Sequence, residues 1–193
     1  MCESEKTYFH ACVLETLAIL GFLAFFLWLI FHVKSPSYTI VDITIPKSSL
    51  ENGGQNGYIV YALEIKNCNT YYSIYYDTSL LTFNYGQDKV AEKTIPPFHQ
   101  GTGRSRRRTV IDYMDANPKV WRAVRNSISN ATAELKVTLL TRIRYNTWGS
   151  KRHHVLDLQG LLPIGKDGKL SGKKKKIKLR YASKKLRTNS LRY

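Results

Sequence analysis

Most residues of this 193-residue chain that could do chemistry fail on spacing. Gly101-Thr102-Gly103 runs into Arg104-Ser105-Arg106-Arg107-Arg108 and then a β-type segment. A phosphate-binding loop needs a Gly-Lys-Ser/Thr ending and a helix N-terminus behind it. His153 and His154 are adjacent, so on a strand they point to opposite faces and cannot chelate one ion together. Five histidines without a cysteine or carboxylate cluster form no zinc pattern. The pattern excludes hydrolase, kinase and metal signatures, so the expectation is a non-enzymatic protein with no cofactor.

The remaining chemistry is modification and charge. Asn130-Ala131-Thr132 is the one glycosylation sequon beyond the N-terminal region, between a helix-type and a strand-type segment, where an exposed loop belongs. Cys2 and Cys12 are palmitoylation candidates if they face the cytosol, whereas residue 2 is not glycine and excludes myristoylation. Cys68 is the sole cysteine after the N-terminal region, so no disulfide forms within the C-terminal part, and it reads as a small half-buried residue. Residues 166–193 carry 12 basic side chains against Asp167 alone. Their centre, Lys173, Lys174, Lys175, Lys176, Lys178 and Arg180, is a basic contact tail with few large apolar neighbours, expected to be disordered.

The element that positions all of this is the uncharged apolar run 17–31. With its flanks it reaches a membrane helix over 13–33, since roughly 20 apolar residues cross a hydrocarbon core about 30 Å thick. A signal peptide would carry a basic leading region and small residues at a cleavage site; here Glu3 and Glu5 outweigh Lys6, and Trp28 to Phe31 are bulky. A soluble core helix would show a polar stripe, and 17–31 has none. Glu15 lies near the end of the helix, at headgroup level, where a charge costs little.

After Pro36 the pattern changes to alternation. Runs over 38–45, 58–65, 71–83, 89–95, 106–113, 133–145 and 151–161 are rich in branched and aromatic residues and bounded by Asn, Gly and Pro. Between the fifth and sixth, Val120, Trp121, Val124 and Ile128 stand at helical spacing, with Asn117 as cap and Pro118 in the first turn. Short strands without βαβ alternation predict a mainly β chain: one antiparallel sandwich of immunoglobulin or fibronectin kind with one short helix. The expected organisation is a short N-terminus over 1–12, a transmembrane helix over 13–33, the sandwich over 36–164 and the tail over 165–193.

Two segments add a resemblance. Asn67-Cys68-Asn69 is followed by Ile74-Tyr75-Tyr76-Asp77, and Pro97-Phe98-His99-Gln100-Gly101 lies downstream. With 27–40 and 135–149, these residues resemble plant harpin-induced-like proteins of the late-embryogenesis-abundant group-2 domain family, which includes the non-race-specific disease-resistance type. The family often has a small residue or Pro where Cys68 stands, and a short end in place of the lysine-rich tail. The resemblance implies a plasma-membrane protein of defence and stress responses, with a cytosolic N-terminus and an extracytosolic sandwich. It implies no catalytic mechanism.

Physically, Asn67 and Asn69 suit a tight turn. Tyr76 shares a strand face with Ile74, opposite Tyr75 and Asp77. Pro97, Phe98, Gln100 and Gly101 read as a loop packed on the sandwich end. Two function classes stay open: an exported sandwich whose faces and tail contact proteins or acidic wall polysaccharide, and a cytosol-facing module whose tail binds anionic lipid. Lys6 on one side of the helix against Lys34 and Lys47 on the other leans toward the second, and the resemblance toward the first. Nucleic acid is set aside as a partner, because a membrane helix keeps the chain from chromatin.

Overall fold

The computed structural model describes residues 2–51, 57–102, 106–147, 150–171 and 176–182. The chain divides into two units, Met1–Lys34 and Ser35–Tyr193. The first is one helix, α1 (Cys2–Phe31). It starts well before residue 13 because Glu3, Glu5 and Lys6, all good helix formers, extend the apolar segment rather than stop it. Within it Tyr8–Trp28 has 21 residues and a mean hydropathy of 2.1, with none of its most apolar stretch buried. At 1.5 Å per residue this segment is about 30 Å long, enough to cross a membrane by length and composition.

The second unit runs β1 (Ser37–Thr44), α2 (Lys47–Glu51), β2 (Tyr58–Lys66), β3 (Ser73–Tyr76), β4 (Ser79–Tyr85), β5 (Asp88–Ile95), β6 (Phe98–Gln100), β7 (Arg107–Asp115), α3 (Pro118–Ser129), β8 (Ala133–Thr147), β9 (Ser150–Ile164), β10 (Ile177–Lys178) and β11 (Arg180–Tyr181). One antiparallel sheet has the order β10-β1-β2-β7. The other has the order β11-β9-β8-β3-β6, with β4 also on β8 and β5 on β4. The expected antiparallel sandwich is present. Alternation fills its core: Ile59, Tyr61, Leu63 and Ile65 of β2 face inward, as do Leu135, Val137, Leu139 and Ile143 of β8.

Helix α3 forms where the spacing predicts it. The Asn117 side chain accepts from the Lys119 N–H at 3.1 Å, and Pro118 occupies the first turn, where a missing N–H costs nothing. Trp121, Val124 and Ile128 are buried on its inner face. The Trp121 ring lies directly on Gly57, where a Cβ would stand 1.9 Å from the indole.

Three expectations change. The run 71–83 is two strands, because β3 and β4 meet β8 in registers that differ by one residue: Tyr76 faces Ile143 and Leu80 faces Leu140. The step falls at Asp77 and Thr78, and the Ser79 hydroxyl bonded to Thr141 Oγ1 at 2.7 Å anchors the strand that follows. Phe98–Gln100 is a strand of the sheet rather than a packed loop, since β3 leaves a free edge that β6 fills.

The third change concerns the tail, whose described part is ordered. Ile177 and Lys178 pair with Ile40 and Thr39 of β1, then Arg180 and Tyr181 pair with Gln159 and Leu158 of β9. Between them Leu179 is 4% exposed, and its side chain rests where a Cβ on Gly160 would meet it at 2.9 Å. Ile177 and Leu179 alternate with Lys178 and Arg180, and this short strand crosses from the edge of β1 to the edge of β9, whose far ends are bridged by Lys169 to Thr44 and Leu170 to Ile164, so that side is closed. Lys176 is exposed, while Lys173, Lys174 and Lys175 lie outside the described residues.

Candidate functional site

The two motif segments meet at one end of the sandwich. Pairing of β3 with β6 sets Ile74 opposite Gln100, Tyr75 opposite His99 and Tyr76 opposite Phe98. Fully buried Asn67 is the hub. Its Nδ2 donates to the carbonyls of Tyr72 at 2.8 Å and Gly101 at 3.2 Å, and its Oδ1 accepts from the Asn69 backbone N–H at 2.9 Å and Nδ2 at 3.0 Å. Its own N–H donates to the Arg106 carbonyl at 2.7 Å. One residue, through its side-chain amide and its backbone N–H, thus ties the 67–72 turn to the segments after β6 and before β7.

Gln100 is buried beside this hub, donating from Nε2 to the Ile65 carbonyl at 3.0 Å and accepting the Tyr76 hydroxyl at 2.8 Å. The Phe98 ring stacks on Tyr76 at 4.4 Å between centroids, and the Arg108 guanidinium sits over the Phe98 ring at 4.5 Å from its centroid. Asp77 accepts from Arg144 at 2.9 Å. Tyr75, on the outer face, is 42% exposed and its ring lies 4.3 Å from His99. These contacts make the motif a structural joint.

Interior phenols line the same end. Burial is the main cause that pushes the Tyr38 and Tyr76 hydroxyls well above their ordinary range, with neighbouring phenols adding to it. Burial likewise raises Tyr145 to about 12, although a hydrogen bond with Ser35 partly opposes it. The Tyr181 hydroxyl donates to Ser35 Oγ at 3.0 Å. The crossing strand therefore finishes beside the residue where the sandwich unit begins.

The other sequence-read positions are dispersed. Asn130 caps the C-terminus of α3, with Ala131 in a left-handed conformation at φ 55°, and Asn130, Ala131 and Thr132 are all exposed. β8 runs the length of the sandwich from this turn, so the sequon and the Asn67 hub stand at opposite ends. Cys12 is exposed on α1. Cys2 is in the same helix, and Cys68 is half-buried beside Asn67. His153 and His154 alternate on β9, the second ring 5.4 Å from Tyr145. Among the described residues no three His, Cys, Asp or Glu side chains converge as metal ligands do.

Sequence reasoning missed a basic rim at the Asn67 end. Lys66 on β2 lies directly opposite Arg107 on β7, both exposed, and Arg108 follows. The available signal was the triple arginine 106–108, but Lys66, the partner of Arg107, is 41 residues away and joins it only through strand register.

Comparison with known proteins bears on this geometry. The family model described as late embryogenesis abundant protein, LEA_2, matches residues 62–159, half of the chain. NDR1/HIN1-like protein 26 of Arabidopsis thaliana is 32% identical over 80 residues, a match that spans 39% of this chain and only 38% of that protein. A solved protein from Archaeoglobus fulgidus superposes with a TM-score of 0.35 at 12% identity, over 69% of this chain and 98% of that one. The matched region covers the Asn67 hub, the β3–β6 joint, β8 and the first ten residues of β9, and the chain belongs to the late embryogenesis abundant LEA_2 family.

Proposed function

We propose that this is a non-enzymatic, single-pass plasma-membrane protein of plant defence and stress responses. In this reading α1 spans the bilayer and the sandwich lies outside the cytosol, where its faces and the basic segment 176–180 contact another protein or acidic wall polysaccharide. The supporting observation is the contrast between the units. The stretch Tyr8–Trp28 has a mean hydropathy of 2.1, carries Glu15 as its one acidic or basic (Asp, Glu, Lys or Arg) residue, and has no part of its most apolar window buried, while the sandwich encloses its own core. An apolar helix of that length finds its burial in lipid. A cytosolic N-terminus makes Cys2 and Cys12 palmitoylation sites, and an exported sandwich presents Asn130 for glycosylation.

Alkaline carbonate should leave the full-length chain in the membrane pellet, and glycosidase should lower its mass by a step that Asn130→Gln abolishes. Release by carbonate overturns the anchor. Protease access to the C-terminus from the cytosolic side, with no glycan, supports the second reading, which the charge bias of Lys34 and Lys47 favours. There the basic segment binds anionic lipid, at about 1 kcal/mol per residue near the surface.

A further inference from the structure

The geometry points to the Ser35 end of the sandwich as a surface that binds net-anionic lipid headgroups of the bilayer through Lys66, Arg107 and Arg108. The inference rests on the membrane-anchor reading above and adds a second, electrostatic contact to it. Lys66 and Arg107 face each other across β2 and β7 on the outer side. Like charges directly opposite on neighbouring strands repel and destabilise the pair. The nearest counter-charge, Glu64, reaches Arg107 only at 3.7 Å, and Arg108 adds a further cation whose guanidinium is held over Phe98. A surface built this way gains stability from an external anion.

Position supplies the anion. Five residues separate Phe31, the end of α1, from Ser37, the start of β1. Fully extended, such a link spans roughly 20 Å. The end that carries Lys66 and Arg107 is also the end where β1 begins, because Ser37 pairs with Lys66 and Lys66 with Arg107. Tyr71 at 66% exposure and Tyr181 at 45% flank it, amphipathic side chains of the type that settles among headgroups. The opposite end, with the exposed sequon, carries no comparable facing pair of cations among the described residues.

The test uses the full chain in lipid nanodiscs, with Cys2→Ser, Cys12→Ser and Cys68→Ser removing the native thiols. A single thiol is then placed at the rim by Tyr71→Cys or at the far end by Lys166→Cys. The readout is the rate of alkylation by an uncharged polyethylene-glycol maleimide. The rim thiol should react several-fold more slowly in discs containing phosphatidylserine than in phosphatidylcholine alone, and the far thiol at equal rates in both. The slowing should disappear in 1 M salt, where the screening length is about 3 Å. It should also disappear in Lys66→Gln/Arg107→Gln/Arg108→Gln, whose thermal melt should remain cooperative and fall only slightly, through loss of the Arg108–Phe98 and Arg107–Glu64 contacts.

Equal rim rates in the two discs overturn the inference and leave the anchor standing. So does slowing that survives the triple substitution. Dissolved polygalacturonate that slows the rim thiol in phosphatidylcholine discs as strongly as phosphatidylserine does would assign the rim to polysaccharide instead. A chain that fails to enter the discs overturns the anchor and the rim together.

Discussion

The two ends of the sandwich are closed by different physics. At the α3 end, closure is apolar: Trp121 lies flat on Gly57, Val124 and Ile128 fill the space behind it, and the indole N–H donates to the Ser49 carbonyl at 3.3 Å. At the Asn67 end, closure is polar: the buried side-chain amides of Asn67 and Gln100 satisfy the carbonyls of Tyr72, Gly101 and Ile65 and the N–H of Asn69. Apolar closure tolerates variation in detail as long as volume is kept, whereas polar closure fails when a single partner is removed. The end that joins α1 is therefore the one specified atom by atom, and the far end carries the exposed sequon.

The sharpest way to break this contrast is at the apolar end. Trp121→Ala should destabilise the sandwich by about 3–5 kcal/mol, read from chemical denaturation, because it empties the largest buried side chain onto Gly57. Gly57→Ala should approach that loss, since the added Cβ meets the ring at 1.9 Å. A stable Gly57→Ala chain would show that α3 can shift freely and that the closure is loose.

Next in size, Asn67→Ala should cost about 3 kcal/mol, because it strands several buried polar groups at once. Asn67→Asp retains the acceptor for Asn69 but loses both donations, so it should also be clearly destabilised. A variant as stable as the parent would mean that water replaces the amide and that the polar end is not specified by it.

Leu179→Ala should cost about 2–3 kcal/mol, the ordinary loss for a buried leucine. Truncation ahead of Ile177 should add self-association, as it uncovers the edges of β1 and β9. A truncated chain that stays monomeric with an unchanged melt would return the segment to a solvated tail.

The smallest effects concern the phenols. Tyr61 and Tyr145 are raised to about 12 from 10, chiefly by burial, so the unfolded chain ionises first as pH rises. Their contribution is intact below pH 10, and stability should fall between about 10 and 12, measured as the denaturation midpoint against pH. Tyr61→Phe should flatten that decline and leave neutral-pH stability unchanged or slightly higher, because the Tyr61 hydroxyl has no hydrogen-bond partner among the described residues.

Much of this molecule was legible from local pattern. The apolar run needs no tertiary partner to declare a long helix, and Asn117-Pro118 ahead of Trp121 and Val124 marks the start of α3, because caps and helical spacing act within a few residues. Asn67 and Asn69 were readable as a turn for the same reason. That Asn67 also reaches Gly101, 34 residues on, was not.

What the sequence determined by itself is the order and type of most elements, the absence of a disulfide option for the sandwich, and the excess of positive charge. What only the tertiary structure decided is pairing. Register split one β-run at Asp77 and made Phe98–Gln100 a strand. It turned Ile177 to Tyr181 into a crossing strand and set Lys66 against Arg107. The reason is the range of the forces involved. Propensity and capping act over one or two turns of chain, whereas a strand edge is satisfied only by a partner whose position depends on every element folded before it.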